Sequence, residues 1–129
     1  MSANSVPRFV EARRVWLGQV TTANANYDGT GSVVTVVTAG TAGSLLEMIR
    51  LEATVTTTAG FVRLFIHDGS TYRFYKEIPV TAATPSGTVA AFSAEYLPTQ
   101  PLVLQSGYSL RASTANSEAI NVIVTGGDY

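Results

Sequence analysis

Two runs rich in aromatic and β-branched residues, residues 61–67 (FVRLFIH) and 70–77 (STYRFYKE), flank the dipeptide Asp68-Gly69. Asp-Gly readily supplies the positive φ angles of a type I′ turn, so this stretch predicts a β-hairpin. Successive side chains of a strand point to opposite faces. Val62, Leu64 and Ile66 therefore share one face and Arg63, Phe65 and His67 the other, while Tyr72 and Phe74 oppose Arg73 and Tyr75.

The rest of the chain repeats this punctuation at strand-length intervals. Residues 15–20 and 33–38 read as strands separated by an Asn-, Asp- and Gly-rich loop at residues 24–32. Residues 45–56 alternate, with Leu45, Ile49, Leu51, Ala53 and Val55 opposed to Arg50, Glu52, Thr54 and Thr56; Glu47 breaks the apolar side. Further strands are predicted at residues 88–96, 102–104, 108–112 and 120–125, with Pro98 and Pro101 interrupting the chain and Gly126-Gly127 freeing Asp128 and Tyr129. About eight short strands with turn signals between them predict an all-β fold, an antiparallel β-sandwich of two four-stranded sheets in Greek-key order. The expected organisation is an N-terminal arm, residues 1–14, followed by one sandwich domain, residues 15–129.

Composition narrows the functions open to such a domain. With no cysteine, disulfides, thiolate metal sites and cysteine nucleophiles are excluded. Only 13% of the residues are charged, against roughly 25% in an average soluble protein, which suggests that neighbours cover part of the surface. A formal net charge of -1 offers no global field for nucleic acid or an anionic membrane, so neither is expected as a partner. No apolar run approaches the roughly 20 residues that span a bilayer, and the first residues hold no signal-peptide core, which predicts synthesis in the cytoplasm.

No catalytic constellation emerges, and no cofactor or metal is expected. The single histidine, His67, sits beside a turn with Asp68 as its nearest carboxylate, which does not complete a metal site. No nucleophile elbow, phosphate loop or calcium loop is present. Two surfaces remain as candidates. Arg63, Phe65, Tyr72, Arg73 and Tyr75 gather on the hairpin, where aromatics and arginine can stack on a sugar or base; the alternative is that the rings fill the core and the arginines lie outside. The arm carries Arg8, Arg13 and Arg14 against Glu11 alone, with Phe9 and Trp16 beside them. It is either a free tail or a segment lying along a neighbouring subunit, its arginines meeting carboxylates and Trp16 anchoring apolar surface.

Residues 58–69 (TAGFVRLFIHDG), 77–80 (EIPV) and 102–112 (LVLQSGYSLRA) together resemble small structural proteins of tailed bacteriophages, a resemblance running from about Ala25 to Tyr129. The pattern Leu-x-Leu-x-x-Gly-Tyr-x-Leu is similar to the late hairpin of many jelly-roll domains. The resemblance implies a capsid decoration, or cement, protein: a jelly-roll-like domain, often a homotrimer, on the outer shell of the virion, bound to the major capsid protein. It carries over no binding residues. A tail- or fibre-associated virion protein is the near alternative, and a carbohydrate-binding module using the hairpin aromatics is the alternative of another class.

Overall fold

The computed structural model describes residues 9–129. Arg8 lies outside the described residues. Nine strands form: β1 (Ala12–Val20), β2 (Val34–Thr38), β3 (Ser44–Ala53), β4 (Gly60–His67), β5 (Tyr72–Val80), β6 (Ser93–Tyr96), β7 (Leu102–Leu104), β8 (Ser109–Thr114) and β9 (Ile120–Asp128). No helix is present among the described residues, and so none long and apolar enough to cross a membrane.

One sheet has the order β1-β9-β3-β6, with β7 also on β3; the other has the order β2-β8-β4-β5. All strand pairings are antiparallel. β6 pairs with Ile49–Glu52 of β3 and β7 with its Ser44–Leu46, so the two lie end to end as a single interrupted strand. Pro98 and Pro101 fall in the interruption, where a proline cannot donate to a ladder. Counted so, eight strand positions remain, and they pair first with last: β1 with β9, β2 with β8, β3 with β6/β7, β4 with β5. That is one long antiparallel hairpin rolled up until β9 meets β3 and β8 meets β4. It is the jelly-roll form of the β-sandwich.

Between the sheets lies a dry core that includes Val20, Leu46, Ile49, Leu51, Val62, Leu64, Leu110, Ile120, Val122 and Val124, all 0–1% exposed. Three departures from the expected alternation come from β-bulges, in which one extra residue shifts every later side chain to the other face. In β3 the register against β9 shifts between Leu46 and Met48, leaving Glu47 as the extra residue. Leu46 therefore joins Ile49, Leu51 and Ala53 in the core, and Glu47 is displaced to the flank. In β5 the register against β4 shifts between Leu64 and Phe65, skipping Tyr75. In β2 it shifts between Thr35 and Val37.

The ends of the sandwich also differ from expectation. β1 begins at Ala12, so Arg13 and Arg14 belong to a strand paired with Gly127 and Gly126 and not to an arm. β9 runs through both glycines to Asp128. A Cβ on Gly126 would stand 1.9 Å from the Leu45 carbonyl oxygen, so glycine permits a backbone approach that any side chain would block. The hairpin forms where expected, but Asp68 has a negative φ and only Gly69 a positive one (100°), which rules out a type I′ turn. Residues 68–71 form a wider loop instead. The Asp68 carboxylate accepts hydrogen bonds from the backbone N–H groups of Ser70 and Thr71.

Candidate interaction surfaces

On the outer face of the β2-β8-β4-β5 sheet the alternation of β4 places Arg63, Phe65 and His67, and β5 adds Tyr72, Phe74 and Glu77. Phe65 is fully buried there, outside the main core. Its ring meets Tyr72 at 6.2 Å and Phe74 at 5.8 Å, both edge to face. Residues 24–32 close over this cluster, with Tyr27 against Phe74 at 5.1 Å. At Gly29, φ is 85° and a Cβ would stand 2.2 Å from Tyr72, so the loop lies on that ring.

Arg63 holds the loop down. Its guanidinium stacks 4.4 Å from the Tyr27 ring centre, and its Nε donates to Glu77 (3.0 Å), one Nη to the Asn24 carbonyl (3.0 Å) and the other to the Tyr27 hydroxyl (3.3 Å). The Tyr27 hydroxyl donates in turn to Glu77 at 2.6 Å. Asn24 is buried and ties the loop across itself, donating to the carbonyls of Thr30 and Ser32. On β8, Arg111 donates to the Tyr72 hydroxyl at 2.6 Å and to Ser109. Arg63, Tyr27, Asn24, Arg111 and the Tyr72 hydroxyl thus all find partners within the chain.

This geometry corrects the reading of the hairpin as a ligand surface. Phe65 and Arg63 are buried, 0% and 6% exposed, because residues 24–32 pack across them. Tyr75 leaves the group altogether: as the bulge residue of β5 it turns to the core side, meets Tyr96 at 6.3 Å, and has its phenol pushed up to about 12, chiefly by burial. Arg73, opposite Ile66 in the register, alternates away from Tyr72 and Phe74 and is exposed. Tyr72 stays in the cluster, its hydroxyl taken by Arg111. No pattern within the hairpin could reveal the lid; its signal, Asn24 and Tyr27 in a Gly-rich loop, is about 40 residues away in sequence from β4.

The outer face of the other sheet is its opposite in character. Val15 and Leu17 of β1 stand 62% and 70% exposed, and Val103 of β7 stands 50% exposed on the far side of the same face. Ile123, paired with Leu17, and Met48, paired with Thr125, lie between them. Leu17, Gly18, Gln19, Asn121 and Ile123 line a shallow open depression of about 370 Å³. Beside it Arg50 bridges Glu52 and Glu95. This face was not marked in the sequence, although the period-2 pattern of Val15, Leu17 and Gln19 against Trp16, Gly18 and Val20 carries it.

The residues assigned to the arm separate. Phe9 is 74% exposed. Arg13 and Arg14 do meet carboxylates, but of their own chain: Arg13 pairs with Glu47 (2.9 Å) and Arg14 with Asp128 (2.8 Å), whose other oxygen accepts from Ser44. Trp16 pairs with Val124 in the register and packs against the core from its edge, so it is not a free-standing anchor. Among the described residues no group of three or more His, Asp or Glu side chains is arranged to hold a metal ion.

No family model matches the chain, and no curated protein matches it. Among solved structures the chain is similar to a chain of the Cyanophage Pam1 capsid asymmetric unit, 19% identical, with 99% of this chain and 94% of that chain covered and a TM-score of 0.47.

Proposed function

We propose that this chain is a virion structural protein, a capsid decoration or cement protein that lies on the outer shell and bridges neighbouring copies of the major capsid protein. The observation that carries the reading is the set of exposed apolar side chains on the outer face of the β1-β9-β3-β6 sheet, with Val15, Leu17 and Val103 at least half exposed on a chain only 13% charged. Large apolar side chains grouped on one flat face mark a surface that is covered in use. The jelly-roll order agrees with the fold that the phage resemblance implies, and Arg63 and Tyr72 of the hairpin are already engaged within the chain.

Mechanistically, such a protein needs no catalytic step. It binds a surface that only the assembled shell presents, and binding to that state alone stabilises it by mass action against the pressure of the packaged genome. The sheet face supplies the buried area, and the Arg50, Glu52 and Glu95 group supplies polar contacts within the same face.

The test is cryo-electron microscopy of phage shells mixed with the purified full chain. Density distributed over the shell, with the β1-β9-β3-β6 face toward it and binding lost in Val103→Lys, is the expected result. Density confined to the tail would establish the fibre- or tail-associated alternative, and a bare particle would overturn both.

A further inference from the structure

A β-sandwich has four sheet edges, and in this molecule three are blunted. β2 is five residues long and bulged at its centre. β5 is long but carries a bulge, Lys76, Arg73 and Pro79. The β6/β7 edge is cut into pieces of four and three residues. Short strands, bulges, lysine and proline are the devices by which proteins keep unpaired edges from joining other chains.

β1 has none of them. It runs nine residues without proline, lysine or bulge, pairs continuously with β9 on one side, and forms no second ladder among the described residues, β2 approaching it through Val36 at Gly18. Its two arginines are held by Glu47 and Asp128 at one end, leaving the centre, Val15 to Gly18, uncharged.

We propose that β1 is the self-association edge of this protein: two copies join β1 to β1 in antiparallel register about a two-fold axis at Trp16, making one continuous sheet across the dimer. The register follows from the sequence of the strand. Side chains of one face must meet the same face, which excludes odd shifts. Of the remaining registers, the one centred on Trp16 pairs the whole of Ala12–Val20. It sets Val15 opposite Leu17 of the second copy twice over, Arg13 opposite Gln19 and Arg14 opposite Gly18, with no like charges facing. A shift that set Arg14 against Arg14 would both shorten the ladder and place like charges together, a destabilising pair. The half-buried indole of Trp16 falls at the two-fold axis, where its mate covers its open side.

This inference goes beyond the decoration reading and differs from the three-fold clustering that the phage resemblance implies, since a two-fold contact of one patch with itself closes at two copies. It would also place two apolar outer faces side by side as one surface.

The test uses the full chain. Sedimentation velocity is expected to show a concentration-dependent dimer, lost in Leu17→Lys. Because the chain has no cysteine of its own, register can be read directly from Val15→Cys and Leu17→Cys. Directly opposed residues lie about 4.5–5.5 Å apart and diagonal ones about 7–8 Å, and disulfides need Cα atoms within about 7 Å. Oxidation of the two variants mixed is therefore expected to give the cross-linked dimer, and oxidation of either alone is not. A monomer at all concentrations, a trimer, or equal cross-linking of the single variants would each overturn the proposal. So would a dimer that appears only after residues 1–8 are removed, since that would assign the edge to the chain's own N-terminus. A dimer that leaves phage shells bare would sustain this inference and defeat the decoration reading; a monomer that decorates them would do the reverse.

Discussion

The two outer faces of this sandwich end in opposite states. Over β2-β8-β4-β5, Phe65 and Arg63 are closed under residues 24–32, with Phe65 as buried as any core residue. Over β1-β9-β3-β6 nothing closes, and Leu17 keeps 70% of its surface open. A sheet buried on both faces is a finished structure. A sheet buried on one, with aliphatic side chains on the other, is an unfinished one. The difference teaches where partners belong: aromatic and basic residues gathered on a hairpin look like a binding site, but here they are internal construction.

The sharpest way to break this contrast is Phe65→Ala. If the cluster under the loop is a true second core, removing a fully buried Phe ring costs about 3–5 kcal/mol, read from urea or guanidinium unfolding of the full chain. A loss no greater than that of an ordinary surface substitution would show that the two faces are alike after all. A milder probe is Tyr27→Phe, which keeps the ring against Phe74 and Arg63 but removes the hydroxyl shared by Arg63 and Glu77. The expected cost is about 1 kcal/mol, accompanied by faster proteolysis within residues 24–32.

How much of this was legible follows the range of the interactions. The strands, their polarity and the β-sandwich class could be read because alternation and turn residues are local, whereas the jelly-roll form was implied only by the phage resemblance; Asp68-Gly69 and the Pro98 and Pro101 interruption announced themselves. The bulges at Glu47 and Tyr75 could not, because one extra residue is chosen by what faces it across the ladder, Gly126 in one case and the Leu64-Phe65 step in the other. Glu47 did register as a break in the pattern without revealing that the break was a shift of face. The lid is the longest-range feature, since Arg63 is bonded to Asn24 39 positions away. That bond turned a candidate binding arginine into a structural one.

The turn at the end of the hairpin gives a pH-dependent reading of how firmly the closed face is held. Hydrogen bonds from the backbone of Thr71 and Ser70 and from the Thr71 hydroxyl lower the Asp68 carboxyl from 3.8 to about 2. A carboxyl whose folded value lies below its unfolded one stabilises the fold fully above the unfolded value and loses that contribution as the pH falls toward the folded one. Acid unfolding is therefore expected to include a component between about pH 4 and pH 2 that Asp68→Asn removes. An unchanged acid limb in that variant would show that the turn is held by Gly69 and the ladder alone.

The smallest expected effect is the most informative about the open face. Leu17→Lys replaces a side chain that touches little within its own chain, so the stability of the isolated protomer should change by no more than about 0.5 kcal/mol. The concentration at which this is measured decides what it means. If β1 joins two copies, the wild-type unfolding midpoint rises with protein concentration, because association stabilises only the folded chain, whereas the Leu17→Lys midpoint stays flat. The two curves then meet on dilution and part on concentration. A midpoint that ignores concentration in both would leave the apolar face of β1-β9-β3-β6 with the shell as its cover, and a Leu17→Lys protomer unstable even at high dilution would mean that this face, too, is closed within the chain.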